Sequence, residues 1–234
     1  MIKDKLVGKT IYFSLFVQVI TTLVSIDGLR YDLNDRDRIL KDILILETIV
    51  QIVEAIFYVW VVAALKDIDL MTPRRYIDWF ITTPTMLLST IIFMEYLKNE
   101  KTFSFTEFMN EHKVNVTLIF VSNALMLIFG YMGEIGKMNK TKSVIYGFIP
   151  FMFSFYIIYE NYAKHTDLGT KLFMFLLIVW SLYGFAALLG TKNKNISYNL
   201  LDIVAKNFYG LFIYYYITQI GTRKGYFLNF IKTE

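Results

Sequence analysis

Seven long apolar runs, separated by short polar connections, dominate the pattern of this chain. They cover residues 10–29, 39–65, 73–97, 114–132, 144–162, 172–190 and 197–220. Each run is long enough to cross a bilayer, because about 20 helical residues span the hydrocarbon core. A membrane barrel would instead show strands of alternating polarity. The pattern therefore predicts an all-α membrane protein, a bundle of seven transmembrane helices, with polar stretches such as residues 191–195 as connections.

Composition supports a membrane protein and narrows the chemistry. The 234 residues are 56% hydrophobic and 19% charged, with no cysteine. We expect a lipid bilayer as the surroundings and one domain over residues 1–234. Disulfides, thiolate metal sites and cysteine nucleophiles are excluded. The net charge of +4 is scattered, so it does not predict nucleic-acid binding. With no metal-ligand cluster, phosphate loop or catalytic triad, we expect no metal and no enzyme.

A few ionisable residues lie inside the apolar runs. Asp202 and Lys206 are four residues apart on one helical face, and Arg75 and Asp78 are three apart, with Thr82 one turn later. A charge at mid-bilayer costs about 2.5 to 3.5 kcal/mol, so such groups pair or line a cavity. A buried lysine beside carboxylates is either a structural ion pair or an amine suited to imine formation. Charge alone favours the structural pair.

The neighbouring residues change that preference. Residues 75–84 are RYIDWFITTP, and residues 201–206 are LDIVAK. Residues 180–183 are WSLY, which begins with Trp180 and ends with Tyr183, and Met126 precedes Gly130 by four residues. In this order and register, the motifs strongly resemble those of microbial (type 1) rhodopsins.

That resemblance implies all-trans retinal bound to Lys206 as a Schiff base. Asp78 and Asp202 would be its counter-ions, because a cation in a low-dielectric pocket needs compensating charge. Arg75 and Thr82 would complete the counter-ion complex. Large flat side chains suit a polyene. The implied retinal pocket consists of Trp79, Thr83, Met126, Gly130, Trp180 and Tyr183.

Polar side chains form a stripe on each of the first two spans. The second span carries Glu47, Gln51, Glu54 and Tyr58 on one face, and the first carries Ser14, Gln18, Thr21, Thr22 and Ser25. Two polar stripes in lipid satisfy each other by facing, and the glutamates would attract cations and hold water. The alternatives are a polar network that only fixes packing, and the half-channel of a pump.

The stripes resemble those of channelrhodopsins, and the compact chain is most similar to group 1 viral rhodopsins. This resemblance implies a cation channel for monovalent cations or protons, gated by photoisomerisation at Lys206. Its constriction would contain Ser14, Glu54 and Asn207. Ser89 occupies the position of the carboxylic proton donor in outward pumps, and a hydroxyl cannot store that proton. A light-driven outward proton pump, a sensory rhodopsin and a retinal-free protein with a structural lysine remain alternatives.

Topology and loops give weaker signals. Lysine and arginine are almost evenly divided between the two sides, so the resemblance alone places the N-terminus outside and the C-terminus in the cytoplasm. Phe105, Phe108, Met109 and His112 have helical spacing, which suits a short interfacial helix as well as an ordinary loop. We expect His112 and His165 to be solvated. Monomer, dimer and pentamer all fit the sequence, so a homo-oligomer stays open.

Overall fold

The computed structural model describes residues 4–64 and 70–223. Leu65, where the second predicted span ends, lies outside this part of the chain. The helices, in chain order, are α1 (Lys5–Gly28), α2 (Ile39–Ala64), α3 (Met71–Lys98), α4 (Phe105–Glu111), α5 (Lys113–Glu134), α6 (Lys140–Asn161), α7 (Asp167–Ala187), α8 (Thr191–Asp202) and α9 (Phe208–Ile220).

The long helices form a closed bundle. Each of α1, α2, α3, α5 and α6 packs against the next helix in the series that ends with α7. The ring closes through α8, which packs against α7 and α1, and α9 packs against α1 and α2. The outward surface is apolar, with Ile56 64% and Ile149 65% exposed. Such side chains suit contact with lipid. The predicted seven-helix fold is confirmed.

Several helices begin before the apolar runs do, because polar side chains cap them. Asp4 caps α1 by accepting hydrogen bonds from the backbone of the first turn, and Asn139 and Thr166 do the same for α6 and α7. Such caps satisfy backbone N–H groups that have no partner within the helix. Hydropathy marks the membrane-crossing part of a helix, whereas the caps set where it starts.

The seventh membrane crossing is divided. It runs through α8, a π-helical segment (Ile203–Asn207) and α9. Six other helices in the described ranges are individually long and apolar enough to span a membrane. The seventh crossing has no such helix, because it is divided into α8 of 12 residues and α9 of 13, and α8 has the polar sequence TKNKNISYNLLD. The prediction that residues 191–195 form a connection is wrong: Lys194 is 1% exposed inside the bundle and pairs with Glu134 of α5, 2.5 Å away.

The sequence left a short helix and an ordinary loop open after the third span, and the structure has the helix, α4. It begins with a capping box in which Ser104 and Glu107 bond reciprocally, and these bonds lower the pKa of the Glu107 carboxyl. The expectation of a solvated His112 is wrong. Its side chain is 18% exposed, stacks on Phe108 at 4.5 Å and lies 3.1 Å from the Tyr162 hydroxyl. His165 is exposed, as expected.

Two short segments outside the helices form a small antiparallel ladder of two residues each. The strand β1 (Tyr31–Asp32) pairs with β2 (Thr222–Arg223). It links the connection after α1 to the chain just beyond α9.

Candidate functional site

The central residues of the site lie on facing sides of α3 and the seventh crossing. Arg75 and Asp78 are one turn apart on α3, and Asp202 and Lys206 are one turn apart where α8 enters the π-helical segment. All four are almost completely buried. A π-helical turn widens the helix locally and is frequent at functional sites. Here it contains Lys206.

Three carboxylates surround the Lys206 amine. Its Nζ lies 2.7 Å from Glu54 Oε2, 2.8 Å from Asp78 Oδ2 and 3.8 Å from Asp202 Oδ1. The sequence pairs the amine with two aspartates and assigns Glu54 to a constriction. The structure instead places Glu54 in direct contact with the amine. With Arg75 included, three acids face two cations, and the charge balances when one acid holds a proton.

Asp202 is held from several directions. Arg75 Nη1 donates to its Oδ2 at 2.8 Å, Tyr58 OH donates to the same oxygen at 2.8 Å, and Tyr183 OH donates to Oδ1 at 2.8 Å. Arg75 also donates a short hydrogen bond to the side-chain oxygen of Asn199. Charge-assisted hydrogen bonds of this kind fix both geometry and ionisation. The site therefore anchors Asp202 more firmly than Asp78.

Asn199 and Tyr58 belong to the hydrogen-bonded cluster around Arg75 and Asp202, and the sequence did not assign them to it. Asn199 lies three residues before Asp202 and seven before Lys206, on the same helical face, so helical spacing could have found it. Its Nδ2 donates to Thr10 of α1 at 2.8 Å. Tyr58 is recognisable only as a member of the polar stripe.

Asp78 keeps one oxygen without a partner among the described residues. Its Oδ1 is buried and makes no hydrogen bond. Thr82, predicted to belong to the counter-ion complex, donates to the backbone oxygen of Asp78 at 3.0 Å. Helical geometry explains the choice, since a threonine readily bonds the carbonyl one turn earlier. An unpaired carboxylate oxygen next to an amine is positioned to accept a proton.

An aromatic cavity extends from the amine between α3, α5, α6 and α7. Its volume is about 120 Å³. Lys206 lies in its wall, and all six residues of the predicted pocket also line it: Trp79, Thr83, Met126, Gly130, Trp180 and Tyr183. The wall also contains Tyr198, whose ring meets that of Trp79 at 5.1 Å.

Two details shape the cavity wall. Thr83 donates to the Trp79 backbone at 2.7 Å and accepts a 2.8 Å hydrogen bond from Asn123 of α5, a partner absent from the sequence prediction. At Gly130, a Cβ atom would lie 3.2 Å from the Tyr76 ring and closer still to its hydroxyl. Glycine is therefore what allows Tyr76 to reach the cavity.

The polar stripes meet between α1, α2 and the seventh crossing. Asn207 Nδ2 donates to Gln18 Oε1 at 2.7 Å and to Thr21 Oγ1 at 2.5 Å. Ser14 instead donates to the Asn199 backbone at 3.2 Å. Ser14, Glu54 and Asn207, predicted to form one constriction, thus each bond to a different partner. The structure arranges them as successive contacts along the stripe.

Several buried polar atoms of the stripe lack a partner within the described residues. They are Gln18 Nε2, Ser25 Oγ, Glu47 Oε2, both side-chain polar atoms of Gln51, and Asn207 Oδ1. Buried polar groups are almost always paired with protein or ordered water. Their concentration on one side of Lys206 marks a region suited to water.

Glu47 reaches across to α3. Ser89 donates a short hydrogen bond to Glu47 Oε1 and also bonds the Met86 backbone at 2.9 Å. Both side chains are fully buried. The hydroxyl at the pump-donor position is therefore backed by a carboxyl from another helix.

Comparison with known families identifies the family of this chain. Residues 9–220 match the family of bacteriorhodopsin-like proteins. The chain belongs to this family. Bacteriorhodopsin-like proteins bind retinal covalently through a lysine, and retinal is accordingly the cofactor. The expected relation to microbial rhodopsins is confirmed, and the protein is an integral, multi-pass membrane protein.

Related bacteriorhodopsin-like proteins include bacterial and viral examples. A green-light absorbing proteorhodopsin from Gamma-proteobacterium EBAC31A08 is 26% identical, and the alignment covers 62% of this chain and 61% of the relative. The chain thus matches less than two thirds of that protein's length. The crystal structure of viral rhodopsin OLPVRII has a TM-score of 0.81 and 25% identity, covering 93% of this chain and 100% of the other. Xanthorhodopsin has a TM-score of 0.72 and 16% identity, covering 92% of each chain.

The residues present fit the retinal cofactor of the bacteriorhodopsin-like family. A primary amine lies in the wall of an apolar, aromatic cavity, and acids stand beside it. No other lysine lines this cavity among the described residues. A primary amine beside acids, in an apolar and aromatic wall, suits an apolar aldehyde.

Proposed function

We propose that this protein is a light-gated channel for monovalent cations or protons, with retinal attached to Lys206. The buried Lys206 amine, beside three acids and in the wall of an aromatic cavity, carries the proposal. Retinal, when bound, supplies light absorption and a light-driven change of shape. The proton acceptor, the gate and the ion path are formed by side chains of the protein itself.

In this proposal Asp78 and Asp202 are the counter-ions but have different roles. Asp202 is fixed by Arg75 and two tyrosines, so it holds a constant negative charge. Asp78 contacts Lys206 Nζ and has a free Oδ1, so it is the acid that accepts a proton. Arg75 offsets the surplus charge. Trp79 and Trp180 orient the chromophore by their flat faces.

The polar stripe supports conduction. Asn207 follows Lys206 directly, and its two hydrogen bonds tie the seventh crossing to α1. A displacement at Lys206 moves Asn207 and loosens that tie. The unpaired polar atoms of Gln18, Gln51 and Glu47 would then hydrate the path. On the other side of Lys206, the contact between Arg75 and Asn199 is the barrier that must open.

A light-driven outward proton pump is the second candidate, because one observation favours it. The Glu47 carboxyl bonds Ser89, so a proton store is available where the sequence alone shows only a hydroxyl. The name of the xanthorhodopsin structure describes a light-driven ion pump. Light sensing through a partner protein is a third reading, and it predicts no photocurrent and a co-purifying transducer.

The proposed orientation has the N-terminus extracellular and the C-terminus cytoplasmic. The half of the stripe around Glu47, where buried polar atoms lack partners among the described residues, then faces the cytoplasm. The barrier around Arg75 faces outside.

Voltage clamp separates the candidates. A channel gives a photocurrent that reverses sign near the cation equilibrium potential, whereas a pump's current stays outward at every voltage. The Glu54→Gln variant tests the path, with Glu160→Gln at the exposed end of α6 as the matched control. We expect Glu54→Gln to change conductance or gating and the control to leave both unchanged. Outward current without reversal would reject the channel.

A further inference from the structure

A second buried ion pair lies near the aromatic cavity, on the Arg75 side of the bundle. The Lys194 amine contacts both carboxylate oxygens of Glu134, at 2.5 and 2.6 Å. The Lys194 side chain is 1% exposed and that of Glu134 11%. The next residue, Asn195, accepts a 3.3 Å hydrogen bond from Thr72, one turn before Arg75 on α3. The pair thus joins α8 to α5, two helices that are not neighbours in the ring.

Helical spacing aligns this pair with the cavity wall. On the seventh crossing, Lys194 precedes Tyr198 by four residues, so the two side chains share a helical face. On α5, Glu134 follows Gly130 by four residues, and the Tyr76 hydroxyl packs against that glycine. Tyr198, Gly130 and Tyr76 all line the cavity. The ion pair therefore lies one helical turn beyond the wall on both helices.

Aromatic rings form the wall at this level. The Trp79 ring lies 5.0 Å from the ring of Tyr76 and 5.1 Å from that of Tyr198. Tyr198 also stacks on Tyr183 of α7 at 5.7 Å. These contacts connect α3, α7 and α8, whereas the ion pair holds α5 to α8 just beyond them. The spacing of the rings thus depends on the distance that the ion pair fixes.

The ion pair suits a boundary that excludes water. An ammonium that contacts both oxygens of one carboxylate has its charge compensated without water. Removing one partner leaves an uncompensated buried charge, which is strongly unfavourable and attracts water. A dry cavity also strengthens the attraction between Lys206 and Asp78, because that attraction grows as the dielectric constant falls.

We propose that Lys194 and Glu134 seal the retinal cavity against water from the Arg75 side and hold Tyr76 and Tyr198 in its wall. This inference rests on the proposed attachment of retinal to Lys206. Lys194 and Glu134 are positioning residues, since they act through the aromatic rings. The polar stripe lies between α1, α2 and the seventh crossing, so the seal keeps the cavity separate from the proposed ion path.

The first test measures water access in the absence of retinal. Trp79 and Trp180 line the cavity, and Trp60 is the only other tryptophan of the chain, so fluorescence in a Trp60→Phe background reports on the cavity. The purified protein is kept free of retinal and titrated with acrylamide, a neutral quencher. We expect quenching to rise severalfold in Lys194→Met, because the unpaired Glu134 carboxylate draws water into the wall.

The second test uses the coloured protein in darkness. Hydroxylamine from the water converts the retinal imine to an oxime, frees the lysine amine and removes the colour. Lys194→Met should bleach about tenfold faster than the wild type, equivalent to about 1.4 kcal/mol on the barrier. Exchanging the charges, as Lys194→Glu with Glu134→Lys, should restore the wild-type rate. Lys164→Met is the matched control, because the pair of Lys164 with Glu160 is exposed at the end of α6.

A milder variant gives the same decision if Lys194→Met does not fold. Glu134→Asp keeps both charges but shortens the contact, so its quenching and bleaching should lie between those of the wild type and those expected for Lys194→Met. A pair that only stabilises the fold would lower the melting temperature and leave both measurements unchanged well below melting. That result would overturn the seal. A protein that never takes up colour would refute the proposed function instead, and the retinal-free quenching would still decide on the seal.

Discussion

The hydrogen bonds of Asn207 provide a quantitative test of gating. Leucine at this position keeps the branched shape but removes both donors, those to Gln18 and Thr21. Each neutral hydrogen bond contributes about 0.5 to 1.5 kcal/mol net, so the closed state loses about 1 to 3 kcal/mol. Because about 1.4 kcal/mol is a factor of ten, the ratio of closed to open channels should fall by about 5- to 150-fold.

The assay is patch clamp of Asn207→Leu in darkness and after a light pulse. We expect a dark cation leak and slower closure. Asn161→Leu is the matched control, because among the described residues its side chain bonds the Ile157 backbone of its own helix, at the end of α6. Dark conductance and closing rate equal to those of the wild type would refute the view that these bonds hold the path closed.

Three further predictions concern the rest of the site. Asp202→Asn leaves the buried Arg75 without its acid, so the free energy of unfolding should fall by about 3 to 5 kcal/mol. The visible band should then be lost at a lower temperature on heating, and an unchanged melting curve would contradict this prediction. Glu47→Gln should slow recovery of the dark state if Glu47 stores a proton, as flash spectroscopy can measure; unchanged recovery would count against the pump. Gly130→Val should displace Tyr76 and so reduce retinal binding, measured as absorbance per mole of protein. Full binding would show that the cavity accommodates the larger side chain.

The fold was predictable because hydropathy is a strong signal in a membrane. Seven apolar runs leave few alternatives in lipid, where each backbone polar group needs an internal partner. The start of the seventh crossing was missed for a physical reason. Lys194 has the appearance of a loop residue until its partner Glu134, 60 positions away in sequence, is known.

Within the site, helical spacing gives the face of a residue but not its neighbours across the bundle. The spacing grouped Asp202 with Lys206 and Arg75 with Asp78, and the structure brings these groups together. The same reasoning put Glu54 on the correct stripe without showing that it reaches the amine. The depth of Glu54 along the bundle axis depends on the register of α2 against the neighbouring helices, and spacing within α2 does not give that register.

The partner of Ser89 illustrates the same limit. A hydroxyl at one position of α3 suggests that no proton store exists there, yet the carboxyl comes from α2. Function at this point depends on two helices whose register the sequence does not give.

Locating the retinal linkage on the chain tests the central claim most directly. The pigment is reduced to fix the linkage, digested, and analysed by mass spectrometry. Our account predicts a retinyl adduct on Lys206, a visible band in the wild type, and no band in Lys206→Ala, while the exposed Lys192→Ala control keeps its colour. An adduct on another lysine, or a coloured Lys206→Ala protein, would contradict it.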